Sequence, residues 1–311
     1  MRPSSEARVE ERSARNGFTA LALDRRTAER RDAAWVGKRL ADPATRFVPV
    51  FGAQSLVAER PHPHALLLDA EESTALHLQA HATVFLGEGE GRSYFALALP
   101  PEEAEGTPFE GNLRDLRRVA PLLAHGEAAL LAYARAMAYW HDQHRYCGRC
   151  GSPTASREGG HLRVCTRAAC GIHHFPRTDP AMIVLVSHGG RALLGRQRIW
   201  PATLYSTIAG FVEPGESLED AVVREVREET GVAVEGVTYR SSQPWPFPSS
   251  LMLGFRAAAR SAGICCGDGE LEDARWFSRR ALQAAIEAGT LRLPSPVSIA
   301  YRLIRTWYDE G

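Results

Sequence analysis

The segment from Gly210 to Val232, GFVEPGESLEDAVVREVREETGV, constrains this chain more than any other part of its 311 residues. Its second half carries three glutamates, Glu225, Glu228 and Glu229, at helical spacing. Residues three and four apart share one face of a helix, where like charges repel each other. The cluster therefore indicates an acidic helix face that carries a cation. Hard divalent ions such as Mg²⁺ or Mn²⁺ prefer such oxygen ligands.

An acidic helix face that meets only solvent is the alternative interpretation. The flanking residues favour a helix docked on a core instead. Pro214-Gly215 predicts a turn before the helix, and Gly231 has the position of a C-terminal cap. An apolar stripe beside the carboxylates is predicted from three valines, Val222, Val223 and Val226.

Four of the six cysteines form a second cluster ahead of this segment. Cys147 and Cys150 make a CxxC pair, and Cys165 and Cys170 follow after fourteen intervening residues. Two such pairs are typical of a structural zinc ribbon, in which four thiolates hold one Zn²⁺ in a closed tetrahedral site. The second pair is C-x4-C rather than C-x2-C, so the nearby His173-His174 remain alternative ligands. Four unrelated buried cysteines and a redox CxxC are further alternatives.

Composition excludes several classes of protein. Lys+Arg and Asp+Glu both number 37, so no global basic field draws the chain to nucleic acid. The N-terminal residues are charged with both signs and lack an apolar stretch, so we expect no secretory signal. Apolar runs such as 181–186 are too short to cross a bilayer. We therefore expect a cytoplasmic protein without a membrane partner, and we expect Cys265-Cys266 to be packed or exposed thiols.

Apolar patterning predicts mixed secondary structure throughout. Before the cysteines, strands are predicted at 46–51, 64–69 and 83–86, a hairpin through 87–97, and a helix over 127–144. After them, strands are predicted at 181–186, 192–195, 204–212, 232–240, 251–259 and 274–277, and helices at 279–288 and 295–308. Mixed strands with helices on both sides indicate a three-layer α/β domain.

The segment from Ser242 to Ser250, SQPWPFPSS, alternates three prolines with two aromatic residues. Such a sequence forms neither a helix nor a central strand. It predicts a stiff loop that presents Trp245 and Phe247 to a planar base or a nicotinamide. A rigid connection with its aromatic rings packed inward is the alternative.

The segment from Gly210 to Val232 resembles the Nudix box, G-x5-E-x7-R-E-U-x-E-E-x-G-U with U apolar, and fills all nine specified positions. The SQPWPFPSS segment, the cysteine ribbon and the FPRTDPA sequence at 175–181 are similar to the NADH pyrophosphatase branch of that family. The resemblance is specific from about residue 113 onwards. It implies a mixed N-terminal domain over 1–143, a zinc ribbon over 144–176 and a Nudix α/β/α sandwich over 177–311.

The resemblance also implies an activity, namely cleavage of NAD(H) into NMN(H) and AMP, with removal of NAD caps from RNA and a homodimeric state. A Nudix hydrolase that prefers ADP-ribose or a dinucleoside polyphosphate is the first alternative. A non-catalytic module that binds nucleotides or nucleic acid is the second.

Residue roles follow from the same resemblance. For two to three Mg²⁺ or Mn²⁺ ions it implies these ligands: the carbonyl of Ala209 and the carboxylates of Glu225, Glu228, Glu229 and Glu270. Glu272 and Asp273 remain alternatives to Glu270. Glu228 or Glu229 is the expected general base, while Arg224 is expected to pair with Glu216 and orient the box. The implied substrate contacts are Phe175, Phe211, Gln243, Pro244, Trp245, Pro246, Phe247, Pro248, Ser249, Ser250, Ala300 and Arg117.

Overall fold

The computed structural model describes residues 11–266 and 269–310. Residues 1–10, which open the predicted N-terminal domain, and Gly311, which closes the last one, lie outside this part. The chain divides into two compact units. The ribbon unit comprises Ala20–Thr178 and Trp245–Ser249, and the box unit comprises Asp179–Pro244, Ser250–Gly311 and the described part of Met1–Thr19. Every described helix is too short or too polar to span a membrane.

The ribbon unit contains two sheets. The larger sheet is formed by β1 (Arg46–Phe51), β2 (Gln54–Ala58), β3 (His64–Ala65), β4 (Ala82–Gly89), β5 (Arg92–Leu99) and β6 (Leu113–Asp115). Its order is β3-β2-β1-β5-β4, with β6 also paired to β2 and with β1 parallel to β5. The smaller sheet has the order β7-β8-β9, from β7 (Thr154–Arg157), β8 (Leu162–Cys165) and β9 (His173–His174).

Helices cover the larger sheet of the ribbon unit. The α-helices are Ala33–Leu40, Ala70–Gln79, Leu116–Val119 and His125–Gln143, and the short 3₁₀ helices are Glu29–Arg31, Pro101–Ala104, Glu110–Asn112, Ala120–Leu122 and Glu158–Gly160. Fully buried rings of Phe51, Phe85 and Phe95 fill the core.

The box unit is built on one mixed sheet. Its strands are β10 (Asp179–His188), β11 (Arg191–Gln197), β12 (Ile208–Phe211), β13 (Val234–Trp245), of which all but Trp245 lies in this unit, β14 (Ser250–Ala259) and β15 (Leu271–Phe277). The order is β13-β14-β10-β11-β15, and β12 pairs with β10. β10 lies parallel to β14 and antiparallel to β11 and β12.

Two helical layers cover the two faces of this sheet. Alternate residues of β10 point to opposite faces: Met182 and Val184 join the core of the box helix, Leu218–Thr230, whereas Ile183 and Leu185 join the other core. The second layer consists of two helices, Arg279–Glu287 and Ile299–Asp309. The predicted α/β/α sandwich is therefore confirmed.

Several predicted elements differ from the structure in extent. The strand predicted at 204–212 is reduced to Ile208–Phe211, because the backbones of Tyr205 and Ser206 bond to Arg292 and Gly195 instead. The strand predicted at 64–69 ends at Ala65.

The apolar face of the box helix also differs from the predicted stripe. Val222 and Val226 are buried, whereas Val223 is 40% exposed. Ala221, which is fully buried, takes the third place on that face. The helix still docks on the core, as its flanking residues indicate.

Candidate active site

The box helix is fixed at both ends. At its start, Ser217 and Asp220 form a reciprocal capping box, in which the Asp220 backbone N–H donates to the Ser217 hydroxyl at 3.1 Å. At its end, Gly231 adopts the left-handed conformation with φ 67°, which glycine tolerates best. The acidic residues thus project from a helix of defined length.

Gly210, the first residue of the Gly210–Val232 segment, leaves room for a carboxylate. Gly210 lies on β12, and a Cβ atom built there would fall 2.0 Å from the Cδ atom of Glu225. Any side chain at this position would displace that carboxylate. Gly210 therefore lets Glu225 pack directly against the backbone next to Ala209.

Arg224 connects the acidic residues. Its Nε and Nη2 atoms donate to the two oxygens of Glu216 at 2.5 and 2.9 Å. Its Nη1 atom lies 2.9 Å from Glu225 Oε1 and 3.0 Å from Glu228 Oε2. Nη2 also donates to the backbone carbonyl of Phe211 at 2.9 Å. One guanidinium thereby ties the helix to β12 and to the preceding loop. Its role in orienting the box during catalysis stays a prediction.

Glu216 is held as an anion by these contacts. Hydrogen bonds from Arg224, and then one from the Glu213 backbone N–H at 3.0 Å, lower the pKa of the Glu216 carboxyl to about 2. The carboxylate is thus ionised at every pH where the protein would work. Its geometry suits a scaffold rather than proton transfer.

Glu225 experiences the opposite environment. Burial raises the pKa of its carboxyl, and the negative charges of Glu228 and Glu270 raise it further, although Arg224 opposes both effects. A cation placed among these carboxylates would remove that penalty. The oxygen-rich donor set and its electrostatics therefore fit a hard divalent ion.

The remaining acids occupy different environments. The side chain of Glu228 is 53% exposed, whereas Glu229 is 3% exposed. Glu270 accepts a hydrogen bond from Gln197 at 3.1 Å, and its charge acts on Glu225. Its role as a metal ligand stays a prediction.

The two acidic neighbours of Glu270 are engaged elsewhere. Glu272 lies 2.6 Å from the Arg196 guanidinium, and Asp273 lies 2.7 Å from Arg275 and accepts a hydrogen bond from the Tyr205 hydroxyl.

The proline-aromatic segment, Ser242–Ser250, contains a buried polar side chain near its start. Gln243 is fully buried, and its Nε2 donates to the carbonyls of Gly17 and Val297 at 3.0 and 2.7 Å. Its Oε1 accepts from the Ile299 backbone N–H at 2.7 Å. Because its amide is used within the box unit, Gln243 fixes the base of the segment. A direct contact with substrate stays a prediction.

The following residues, Trp245–Ser249, belong to the ribbon unit. Phe247 is 8% exposed, and its ring contacts the edge of Trp245 with centroids 5.0 Å apart. The Arg117 guanidinium lies 4.6 Å above the Phe247 ring and donates to the Phe247 carbonyl at 3.2 Å. Arg117 therefore stabilises the segment. The Phe247 ring packs inward, as the alternative interpretation of this segment as a rigid connection predicts.

Arg135 is a supporting residue that the sequence did not indicate. Its guanidinium lies 5.0 Å from the Phe247 ring, and its Nε donates to the Pro246 carbonyl at 2.8 Å. It lies on the helix His125–Gln143, where a sequence pattern shows only a polar residue on an otherwise apolar helix. No local signal distinguishes such a residue.

The other predicted substrate residues vary in exposure. Phe175 and Phe211 are 60% and 59% exposed, so both rings can meet a ligand. Ala300 is buried, whereas Pro244 and Pro248 are exposed and Ser249 and Ser250 are half-buried.

The four cysteines converge as predicted. Their sulfur atoms all lie within 4.8 Å of one another, with 3.9 Å between Cys147 and Cys170 and 3.5 Å between Cys150 and Cys165. Sulfur ligands at about 2.3 Å from a tetrahedral Zn²⁺ lie about 3.8 Å apart, so the four thiols fit one zinc ion. Among the described residues, no histidine nitrogen joins this cluster.

Local turns explain the cysteine spacing. The amide of Cys170 bonds to the Arg167 carbonyl at 2.8 Å, so a turn absorbs the two extra residues of C-x4-C. Hydrogen bonds from Ser152 lower the pKa of the Cys150 thiol, whereas burial raises the pKa of the Cys165 thiol. A zinc ion would favour the thiolate at both positions. Cys265 and Cys266 are exposed.

Comparison with known protein families gives three matches. A NUDIX domain matches residues 176–294, an NADH pyrophosphatase zinc ribbon domain matches residues 142–175, and an NADH pyrophosphatase-like rudimentary NUDIX domain matches residues 44–140. The three matches follow one another along the chain.

Curated proteins with similar sequences extend over most of the chain. The NAD-capped RNA hydrolase NUDT12 of Macaca fascicularis is 35% identical over 94% of this chain and 73% of its own length. The NAD-capped RNA hydrolase NudC of Stutzerimonas stutzeri is 43% identical over 71% of this chain and 76% of its own. NudC of Mycobacterium bovis is 42% identical over 72% of this chain and 74% of its own.

Proposed function

Since the chain belongs to the Nudix hydrolases, in the branch with an NADH pyrophosphatase-like domain and a zinc ribbon, we propose that it hydrolyses the pyrophosphate of NAD(H) to NMN(H) and AMP. We extend the proposal to NAD caps on RNA, because the relatives named above are NAD-capped RNA hydrolases. The observation that carries it is the carboxylate cluster held by Arg224, in a chain that retains every specified position of the box.

The carboxylates of Glu225, Glu228, Glu229 and Glu270 and the carbonyl of Ala209 would hold Mg²⁺ or Mn²⁺. Such ions, when bound, neutralise pyrophosphate charge and lower the pKa of a coordinated water. Arg224 keeps Glu225 and Glu228 in place. Glu228 or Glu229 accepts the proton of the attacking water. The four cysteines would hold one zinc ion that stabilises the ribbon, and this ion would take no part in the reaction because protein fills all four of its positions.

The nicotinamide end of the substrate is assigned to the aromatic rings. Phe211 follows the box glycine directly, and its exposed ring offers a flat surface for stacking. The family resemblance assigns the rings of Phe175 and Trp245 to the substrate, and Gln243 fixes the base of the segment that carries Trp245. The ring of Phe175 allows stacking but offers no hydroxyl for a hydrogen bond.

A comparison of kcat/KM for NADH, ADP-ribose and a dinucleoside polyphosphate tests the proposal, with Mg²⁺ and Mn²⁺ supplied in turn. We expect NADH to give the highest value and Glu229→Gln to abolish activity on all three. A preference of tenfold or more for ADP-ribose or for the polyphosphate would favour the alternative Nudix substrates. The homodimer and the cytoplasmic location stay predictions, and light scattering tests the former.

A further inference from the structure

Six arginines surround a cleft of the box unit that lies outside the carboxylate cluster. They come from three places: the N-terminal segment, the neighbouring strands β13 and β14, and the C-terminal helix Ile299–Asp309. The arginine cleft is defined by Arg12, Arg15, Arg240, Arg256, Arg302 and Arg305 and has a volume of about 320 Å³. In a chain with zero net charge, such a local concentration of cations needs a physical reason.

The acids of the cleft compensate only part of this charge. Glu310 pairs with both Arg240, at 3.3 Å, and Arg256, and Asp309 pairs with Arg305 at 3.0 Å. Two carboxylates thus serve three of the arginines.

Among the other arginines, Arg15 pairs with Glu11, which lies outside the cleft lining. Arg12 and Arg302 form no side-chain hydrogen bond or ion pair with any residue that the structure describes. Among the described residues, the cleft therefore keeps a net positive charge.

Buried donors in the cleft also lack acceptors. Within the described chain, the Nε atom of Arg12 and the Nε and Nη2 atoms of Arg256 are buried without a hydrogen-bond partner. A buried donor without an acceptor costs free energy, and native structures leave few of them. Burial, followed by the charges of Arg256 and Arg12, lowers the pKa of Arg240, so the positive charges of these arginines repel one another. An anionic ligand with several oxygens would offset the uncompensated positive charge of the cleft.

Phosphate groups have the chemistry that such a cleft recognises. Guanidinium groups bind phosphate oxygens through two parallel hydrogen bonds, and arginines from several elements can contact more than one phosphate. We propose that the arginine cleft binds the phosphodiester backbone of an RNA chain. This inference rests on the proposed function insofar as the RNA is the part of a capped substrate that follows the NAD.

The test uses the full chain and a fluorescent single-stranded RNA with a 5′-monophosphate and no cap. The double variant Arg12→Gln/Arg302→Gln removes the two arginines that have no side-chain partner among the described residues. Arg260→Gln/Arg280→Gln is the matched control, since it removes two exposed arginines of the same unit from outside the cleft. We expect the cleft variant to lower RNA affinity about tenfold, and the control to lower it less than about twofold.

Salt dependence gives a second readout. Each lost contact with a single-stranded phosphate lowers the slope of log K against log salt by about 0.7, so the cleft variant should lose about 1.4. Equal effects of the two variants, or an unchanged slope, would overturn the proposal. Inorganic phosphate and AMP serve as competitors. Displacement of the RNA by either one at concentrations near the Kd of the RNA would indicate a site for free phosphates and would also overturn the RNA assignment.

Kinetics separate this inference from the proposed function. The cleft variant should lower kcat/KM for NAD-capped RNA about tenfold and leave kcat/KM for NADH unchanged. If the unmodified protein does not cleave NADH, the proposed function fails, whatever the RNA binding shows. If it cleaves NADH and both variants act equally on capped RNA, only the arginine cleft fails.

Discussion

Replacing Gly210 with alanine places a methyl group in space that the Glu225 carboxylate occupies. The new Cβ would lie 2.0 Å from both Cδ and Oε1 of Glu225, whereas ordinary contacts begin near 3.4 Å. The carboxylate must therefore move by more than about 1 Å, and a misplacement of this size costs catalysis about 100-fold. In kcat/KM this corresponds to about 2.7 kcal/mol of transition-state stabilisation.

The same substitution should leave the fold intact. The atoms that clash are the end of a flexible side chain, so we expect a loss of about 1 kcal/mol in the free energy of unfolding. For a domain of this size, that lowers Tm by about 2–4 °C. Gly263→Ala is the matched control, because a Cβ there meets no atom within 4 Å and its backbone needs no left-handed conformation.

The assay combines NADH hydrolysis with Mn²⁺ binding by calorimetry. Gly210→Ala should weaken both, and the double variant Gly210→Ala/Glu225→Gln should be no worse than Glu225→Gln alone, because both changes act on one carboxylate. A Gly210→Ala protein with the activity and Mn²⁺ affinity of the unmodified chain would refute the reasoning. Additive losses in the double variant would show that Gly210 acts through something other than Glu225.

Three further predictions follow from the contacts described. Arg224 lowers the pKa of Glu216 to about 2 in the folded state, so the stability from this pair is present above the ordinary carboxyl pKa and is lost as pH falls from about 5 to 2. Arg224→Gln should therefore make the free energy of unfolding in urea depend less on pH in this range, and equal pH dependence in the variant and the unmodified protein would contradict the prediction. Gln243→Leu leaves two carbonyls and one N–H without their partners and should lower the free energy of unfolding by about 2–4 kcal/mol. The control Gln54→Leu, at an exposed position, should lower it by less than about 0.5 kcal/mol. Cys147→Ser should abolish zinc binding, measured by atomic absorption, while Cys265→Ser at an exposed position keeps one zinc ion per chain; zinc retained in Cys147→Ser would exclude the thiol as a ligand.

Elements with strong local signals were predictable from the sequence. The apolar run at 46–51 is a buried strand, and the periodicity over 127–144 matches the helix His125–Gln143 within two residues. The Gly231 cap has the left-handed conformation that its position indicates. These signals are short-ranged, so they need no knowledge of tertiary neighbours.

Three α-helices of the ribbon unit were not predicted, and the two longer ones, Ala33–Leu40 and Ala70–Gln79, begin at capping residues that the sequence shows. Asp69 and Glu72 form a capping box, and Asp32 caps the helix Ala33–Leu40. The helix after Asp69 buries few side chains, so its apolar periodicity is weak. Caps alone would have found both helices.

The remaining differences between the predicted and the observed structure depend on contacts between residues far apart in the sequence or in different strands. The strand predicted to end at Arg240 continues to Trp245, because β13 is an edge strand and an edge tolerates Pro244. The contact of Gly210 with Glu225 and the support of Phe247 by Arg135 join residues far apart in sequence. For Gly210 and Glu225, only the resemblance to a family indicated a function from the sequence.

Product analysis of NADH tests the central claim most directly. NADH is incubated with the full chain and Mn²⁺ or Mg²⁺, and the products are separated by chromatography beside a Glu229→Gln control. We predict NMNH and AMP in equal amounts, formed only with a divalent ion and lost in Glu229→Gln. Intact NADH, or products that form equally with Glu229→Gln, would contradict the assignment of this carboxylate cluster to pyrophosphate hydrolysis.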